Sequence, residues 1–213
     1  MPTNDFAPDR RLFLLSALGA SAALAGCSNV LGPPDTPRAI YLLAPPVAPA
    51  SGGAPAPWAL TIDTPEATDS IDSQRIAITK ADGTLDYYAN AMWPDRAPLL
   101  VQTALLAAFQ GSGRIRAVAR AQDALHADYE LITDMRDFSA HYSQPDGIPD
   151  VTVTLVAQMV TARGRQVVAN FTASRHAAAS ANSVAAAVEA FNAAMAAAAG
   201  DIVNWALALP PPA

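Results

Sequence analysis

Few residues in this chain could carry chemistry. There are three histidines, His126, His141 and His176, one lysine, Lys80, and one cysteine, Cys27. The histidines are 15 and 35 residues apart with no i,i+4 pair, so a metal site or a Ser-His-Asp constellation would have to assemble in space. Each is expected at the surface. A phosphate loop needs a Gly-rich turn running into Lys-Ser or Lys-Thr, and Lys80 has no such turn before it, which excludes ATP hydrolysis. Gly111-Ser112-Gly113 begins a dinucleotide pattern, but Arg116 stands where the third glycine belongs and the segment follows a helix, so a loop is expected. Asp63, Glu66, Asp69 and Asp72 recur every three residues or so without the glycine turn of a calcium loop, as in a solvated acidic segment. Arg114, Arg116 and Arg120 are the one basic cluster, either a solvated face or a contact for protein or anionic headgroups. No catalytic residue and no metal ligand is assigned.

The bulk composition is that of a folded domain rather than a disordered chain. Of 213 residues, 52% are apolar and 15% charged, enough for a core of ordinary size. The formal net charge of −6 repels phosphate backbones and argues against a nucleic-acid partner. A lone cysteine rules out an intramolecular disulfide framework and a multi-cysteine zinc site.

Before Cys27 the chain carries the parts of an export signal: Arg10 and Arg11, an apolar run from Leu12 to Ala25, then small residues. The run falls short of the ~20 residues that cross a bilayer as a helix, and no other stretch is expected to be apolar enough to span. Leu24-Ala25-Gly26-Cys27 resembles the lipobox of bacterial lipoproteins. That resemblance implies cleavage between Gly26 and Cys27 and a diacylglycerol on the Cys27 sulfur, the only bound group expected, with no other cofactor. Each buried CH₂ contributes ~0.8 kcal/mol, so two or three acyl chains hold a protein on a membrane. Asp9-Arg10-Arg11-Leu12-Phe13-Leu14 resembles a twin-arginine signal, and ordinary Sec export stays open. Ser28 follows the cysteine, where an Asp would resemble an inner-membrane retention signal, which points to the outer membrane.

From residue 28 to 57 the chain holds eight of its 18 prolines, as an extended spacer would. Tyr41-Leu42-Leu43 within it predicts a first edge strand, ended by Pro45 and Pro46. Trp58, Leu60 and Ile62 alternate as a strand, and Ile76 and Ile78 repeat that period. Asp82-Gly83 is a two-residue turn signal, giving a hairpin over 74–90. Asp95 is the expected N-cap of a helix carrying Pro98 in its first turn, with Leu99, Leu105, Leu106 and Phe109 on one face, ending at Gly111. Val151 to Val160 and Val167 to Phe171 alternate around the turn at 162–165. Tyr129, Leu131 and Met135 have one parity and Phe138, Ala140 and Tyr142 the other, which predicts a β-bulge near Arg136-Asp137. Val184, Val188, Phe191, Met195, Ala198, Ile202 and Trp205 form one seam of a long helix, packed on the sheet or on another subunit. Its opposite face is mostly Ala: from residue 177 to 199, Ala fills 14 of 23 positions.

The order of these segments resembles the ABC-type transport auxiliary lipoproteins, including the paraquat-inducible-type lipoproteins that accompany mammalian-cell-entry (MCE) domain lipid transporters. The resemblance rests on the lipobox, Tyr41-Leu42-Leu43-Ala44-Pro45, Ile76-Ala77-Ile78 and Leu85-Asp86-Tyr87-Tyr88-Ala89-Asn90-Ala91-Met92-Trp93. It continues through Tyr129-Glu130-Leu131 with Asp137-Phe138, Val188-Glu189-Ala190-Phe191-Asn192-Ala193-Ala194 and Asp201-Ile202-Val203-Asn204-Trp205. A long Pro-rich stretch and an Ala-rich last helix depart from the pattern. The expected fold is α/β, an α+β sandwich whose mainly antiparallel or mixed sheet is covered by two helices. The expected divisions are a signal peptide (1–26), a lipidated, Pro-rich linker (27–57) and the auxiliary domain (58–213). The resemblance implies no catalytic residues and a non-enzymatic accessory of phospholipid or hydrophobic-compound transport. Its implied partners are an MCE-domain protein and a membrane reached through the anchor, with a homo-oligomer also possible. Tyr87, Tyr88 and Trp93 are the candidate partner contacts. A periplasmic lipid-binding carrier with an apolar pocket is the alternative, and an anchored hydrolase would need an acid–base cluster in space.

Overall fold

A computed structural model describes residues 38–45, 53–123 and 125–211. The proposed cleavage site at Gly26 and Cys27, with the export segment before it, lies outside the described residues. The compact unit begins at Arg38, inside the stretch expected to be linker.

Nine strands and two helices follow in order: β1 (Ala39–Ile40), β2 (Ala56–Ile62), β3 (Glu66–Ala67), β4 (Arg75–Lys80), β5 (Leu85–Met92), α1 (Ala97–Gly111), β6 (Ile115–Arg120), β7 (Tyr129–Tyr142), β8 (Asp150–Thr161), β9 (Val167–Ala178) and α2 (Val184–Leu207) among the described residues. They build one mixed sheet in which β7 is the spine. Along one edge, β7 pairs antiparallel with β8, and β8 with β9. Along the other edge it takes three parallel partners in succession: β2 at Tyr129–Leu131, β3 at Asp134 and Met135, β4 at Ser139–Tyr142. Strand β6 then extends the β2 side and β5 the β4 side.

The bulge in β7 lies where the parity change predicts it. Register shifts between Met135 and Asp137, so Leu131, Met135, Phe138 and Ala140 all reach the same core. The seam of α2 is consumed by its own sheet: Phe191, Met195, Ala198 and Ile202 are fully buried against β8 and β9. On length and composition α2 would pass as a membrane span, contrary to the sequence expectation. More than half of its most apolar stretch is buried inside the fold, so it serves as a core helix. Its small-residue positions Ala187, Ala190 and Ala194 are buried as well and permit close approach by neighbours such as α1. Ser183 caps α2, its hydroxyl accepting from the Ala186 N–H at 3.2 Å.

Three local expectations need correction. The first edge strand is Ala39–Ile40, parallel to the end of β5; Tyr41 donates its N–H to Met92 O, and Tyr41 and Leu43 then turn onto the core. The turn between β4 and β5 has three residues, because Gly83 at φ 81° returns its N–H to Lys80 O and Lys80 N–H bonds Thr84 O. The Asp82 carboxylate holds it by accepting from the Thr84 N–H and hydroxyl. Finally, the N-cap position of α1 is Arg96. Asp95 accepts from the adjacent Arg96 N–H, and the Ala97 N–H is satisfied by Ser73 O.

Candidate partner-docking site

Strand β1 covers only Ala91 and Met92, so the outer edge of β5 is unpaired over residues 85–90 among the described residues. Beside that edge lies an open groove of about 1000 Å³ lined by Arg38, Arg75, Tyr87, Tyr88, Asn90 and Arg96. Asn90 takes a positive φ of 55°, which bends the strand where its free edge meets β1.

Two of the candidate contacts line this groove and the third does not. Tyr87 is half-buried; its hydroxyl donates to Ser70 O at 2.9 Å, and the Arg75 guanidinium stacks on its ring at 3.5 Å. Tyr88 shares a hydrogen bond of 2.8 Å with the Tyr142 hydroxyl, which in turn donates to Asn182 Oδ1. Burial first, then the bond to Tyr142, raises the Tyr88 pKa far above its ordinary value, so it stays neutral. Trp93 is fully buried against Phe138 and Phe191, so it is a core residue rather than a partner contact.

On the other side of the β4–β5 turn, Ile78, Ala81, Tyr142, Pro145 and Asn182 line a mainly apolar recess of about 510 Å³. Its floor is Ile78 and Tyr142, whose hydroxyl is already spent on Tyr88 and Asn182.

The sheet face away from the helices carries a Ser-His-Asp cluster that the histidine spacing alone does not reveal. Asp137, Ser139 and His141 share one parity after the bulge. The Ser139 hydroxyl donates to Asp137 Oδ1 at 2.7 Å, and both Ser139 Oγ and Asp137 Oδ2 meet His141 Nε2, at 3.1 and 2.9 Å. A hydrolytic relay needs serine and carboxylate on opposite ring nitrogens. Here one nitrogen serves both, so the imidazole is not arranged to take the serine proton. His176 bonds Thr152 Oγ1 at 2.9 Å on the same face, and His126 is exposed.

The charged segments are mostly engaged. Asp72 is held by Arg96. Asp63 lies by Glu130, and burial followed by that neighbouring carboxylate raises its pKa to about 6. Arg165 in turn pairs with Glu130 at 2.8 Å. The four acids at 63–72 do not converge, and no group of three metal-ligating side chains occurs among the described residues. In the basic cluster Arg114 donates to Ala54 O, Arg116 pairs with Asp128 at 2.9 Å, and Arg120 donates to Thr103 Oγ1.

Similar proteins agree with this architecture. A crystal structure of a Xanthomonas campestris protein superposes with a TM-score of 0.73 at 31% identity, covering 79% of this chain and 94% of that one. A second solved structure, of an uncharacterized protein, reaches a TM-score of 0.63 at 12% identity over 80% of this chain and 99% of its own, which shows the shared fold. An uncharacterized protein of Bradyrhizobium diazoefficiens is 32% identical over 108 residues, 51% of this chain but 28% of its own length, so this chain spans well under a third of that relative. The model of the ABC-type transport auxiliary lipoprotein component matches residues 41–203, from the first packed aromatic residue to the penultimate turn of α2, and the chain belongs to that family.

Proposed function

We propose that this protein is the membrane-anchored accessory of an MCE-type transporter for phospholipids or other hydrophobic compounds, acting by docking rather than by catalysis. The observation that carries the reading is the family match over residues 41–203, joined to a sole cysteine at the end of an export-type segment. Acyl chains on Cys27 hold the domain at the envelope, and the groove beside β5 offers Tyr87, Tyr88 and Arg75 to the MCE subunit. Aromatic and arginine side chains around a partly desolvated groove are the residue types that dominate protein interfaces.

Co-purification with the MCE subunit of the same transport system tests the reading. The wild-type chain is expected to recover the subunit, and a Tyr87→Ala, Arg75→Ala chain that keeps its circular dichroism spectrum is expected to lose most of it. Undiminished recovery would clear the groove of this role; no recovery by the wild type would remove the MCE partner.

The apolar recess at Ile78 and Tyr142 supports a second reading, a carrier that holds an acyl chain, since its volume lies in the usual range for small-molecule pockets. Phospholipid in excess of the anchor, detected by native mass spectrometry, would favour it.

A further inference from the structure

The segment that opens the fold is apolar on both of its faces. Tyr41 and Leu43 pack against the core, whereas Ile40 and Leu42 point the other way and are 62% and 64% exposed. They are the two most exposed large apolar side chains among the described residues. Single exposed leucines are ordinary on protein surfaces. Here two sit at i and i+2 on one extended segment, roughly 7 Å apart on the same side. The segment is also fixed in place: Tyr41 donates its N–H to Met92 O at 2.9 Å, and Ala44 donates its own to Asn192 Oδ1 at 2.8 Å. An apolar ridge is therefore held rigidly outward. Folding gains nothing from that exposure.

We infer that this ridge lies on the bilayer that holds the anchor, with Ile40 and Leu42 dipping into the headgroup–acyl boundary and Arg38 beside them at the phosphates. The inference rests on acylation of Cys27. Eleven residue steps separate Cys27 from Arg38, at most about 40 Å at full extension, so the anchor keeps the ridge within that distance of the membrane. A contact too weak to hold free molecules together is well populated once tethered, because short links give effective concentrations on the order of millimolar. Charge agrees with the occupant. Residues 38–45 contain an arginine and no acid, in a chain whose net charge is −6. A cation flanking apolar side chains is the arrangement that binds anionic lipid surfaces, with the guanidinium reaching up to the headgroups.

The test uses the full lipidated chain in vesicles of phosphatidylethanolamine and phosphatidylglycerol. Because Cys27 is the sole native cysteine and is capped by lipid, a Leu42→Cys variant offers one thiol for a fluorophore. Arg163→Cys, in the exposed turn after β8, is the reference position. The expected result is severalfold weaker quenching by aqueous iodide at 42 than at 163, with strong quenching at 42 by nitroxide-bearing lipid. Replacing Ile40 by Asn in the labelled chain should restore iodide access. A chain that sediments with the vesicles but whose two labels are quenched alike by iodide would overturn the membrane contact while sparing the anchor. A chain that does not sediment overturns both. Shielding that appears only when the MCE subunit is added would assign the ridge to a protein interface instead.

Discussion

The indole of Trp93 stands edge-on to the ring of Phe191, centroids 5.4 Å apart and planes at 90°, joining the end of β5 to the middle of α2. Phe138 completes the cluster at 6.0 Å from the indole and 4.8 Å from Phe191. One residue from each of three elements thus meets at the centre of the domain.

Truncating that indole should cost folding, not docking. Trp93→Ala is expected to destabilise the domain by about 3–5 kcal/mol, a large part of the ~5–15 kcal/mol typical of a domain. Urea unfolding monitored by far-ultraviolet circular dichroism measures it. Trp93→Phe should lose distinctly less. A docking assay on the Ala variant would report unfolding.

Asp63 makes stability depend on pH. Its carboxyl holds a proton up to about pH 6 in the folded state, against an ordinary value near 3.8, so the folded state binds the proton more tightly than the unfolded chain does. Stability from this group is therefore greatest below about pH 4, declines as pH rises to about 6, and stays at its lower level above that. Asp63→Asn removes the penalty. Its melting temperature should exceed that of the wild type at pH 7.5, and the gap should close near pH 4.

Ser183 offers a cleaner helix test. Ser183→Ala strips the Ala186 N–H of its acceptor and should cost about 1 kcal/mol, read from the urea midpoint. Ser183→Asp should retain most of the stability, since a carboxylate caps equally well and complements the helix dipole.

Cys27→Ser should abolish incorporation of labelled palmitate and release the chain from sedimenting envelopes. The mature domain should remain folded in this variant, because Cys27 lies outside the compact unit that begins at Arg38.

How much of this was legible depended on distance along the chain. The alternation of β8 and β9, the seam of α2 and the bulge at Arg136 are patterns within one segment, and each appears where the spacing puts it. Trp93 shares the parity of the buried Ala91, but the rings that enclose its indole, Phe138 and Phe191, lie 45 and 98 residues away, beyond any local pattern. Asp95 carries the right side chain for an N-cap, yet Ser73, brought in by the β3–β4 connection, supplies the oxygen instead. The groove beside β5 borders an edge that β1 meets only at Ala91 and Met92 among the described residues, a register that no periodicity records. The Asp137, Ser139 and His141 cluster could have been found: once the bulge is accepted, the three fall at i, i+2 and i+4 on one face.

The spine arrangement has a consequence for the order of events at birth. When residue 128 has been synthesised, the strands can pair only in two separate ribbons, β2 with β6 and β4 with β5 edged by the two-residue β1, and pieces this small are marginal by themselves. Both wait for β7 to arrive and bridge them, and β7 in turn needs β8 and then α2 to roof its core. Closure therefore comes late and rests on partners many tens of residues apart, the kind of topology that assembles slowly. A nascent chain of this design stays threadable until nearly all of it has been made.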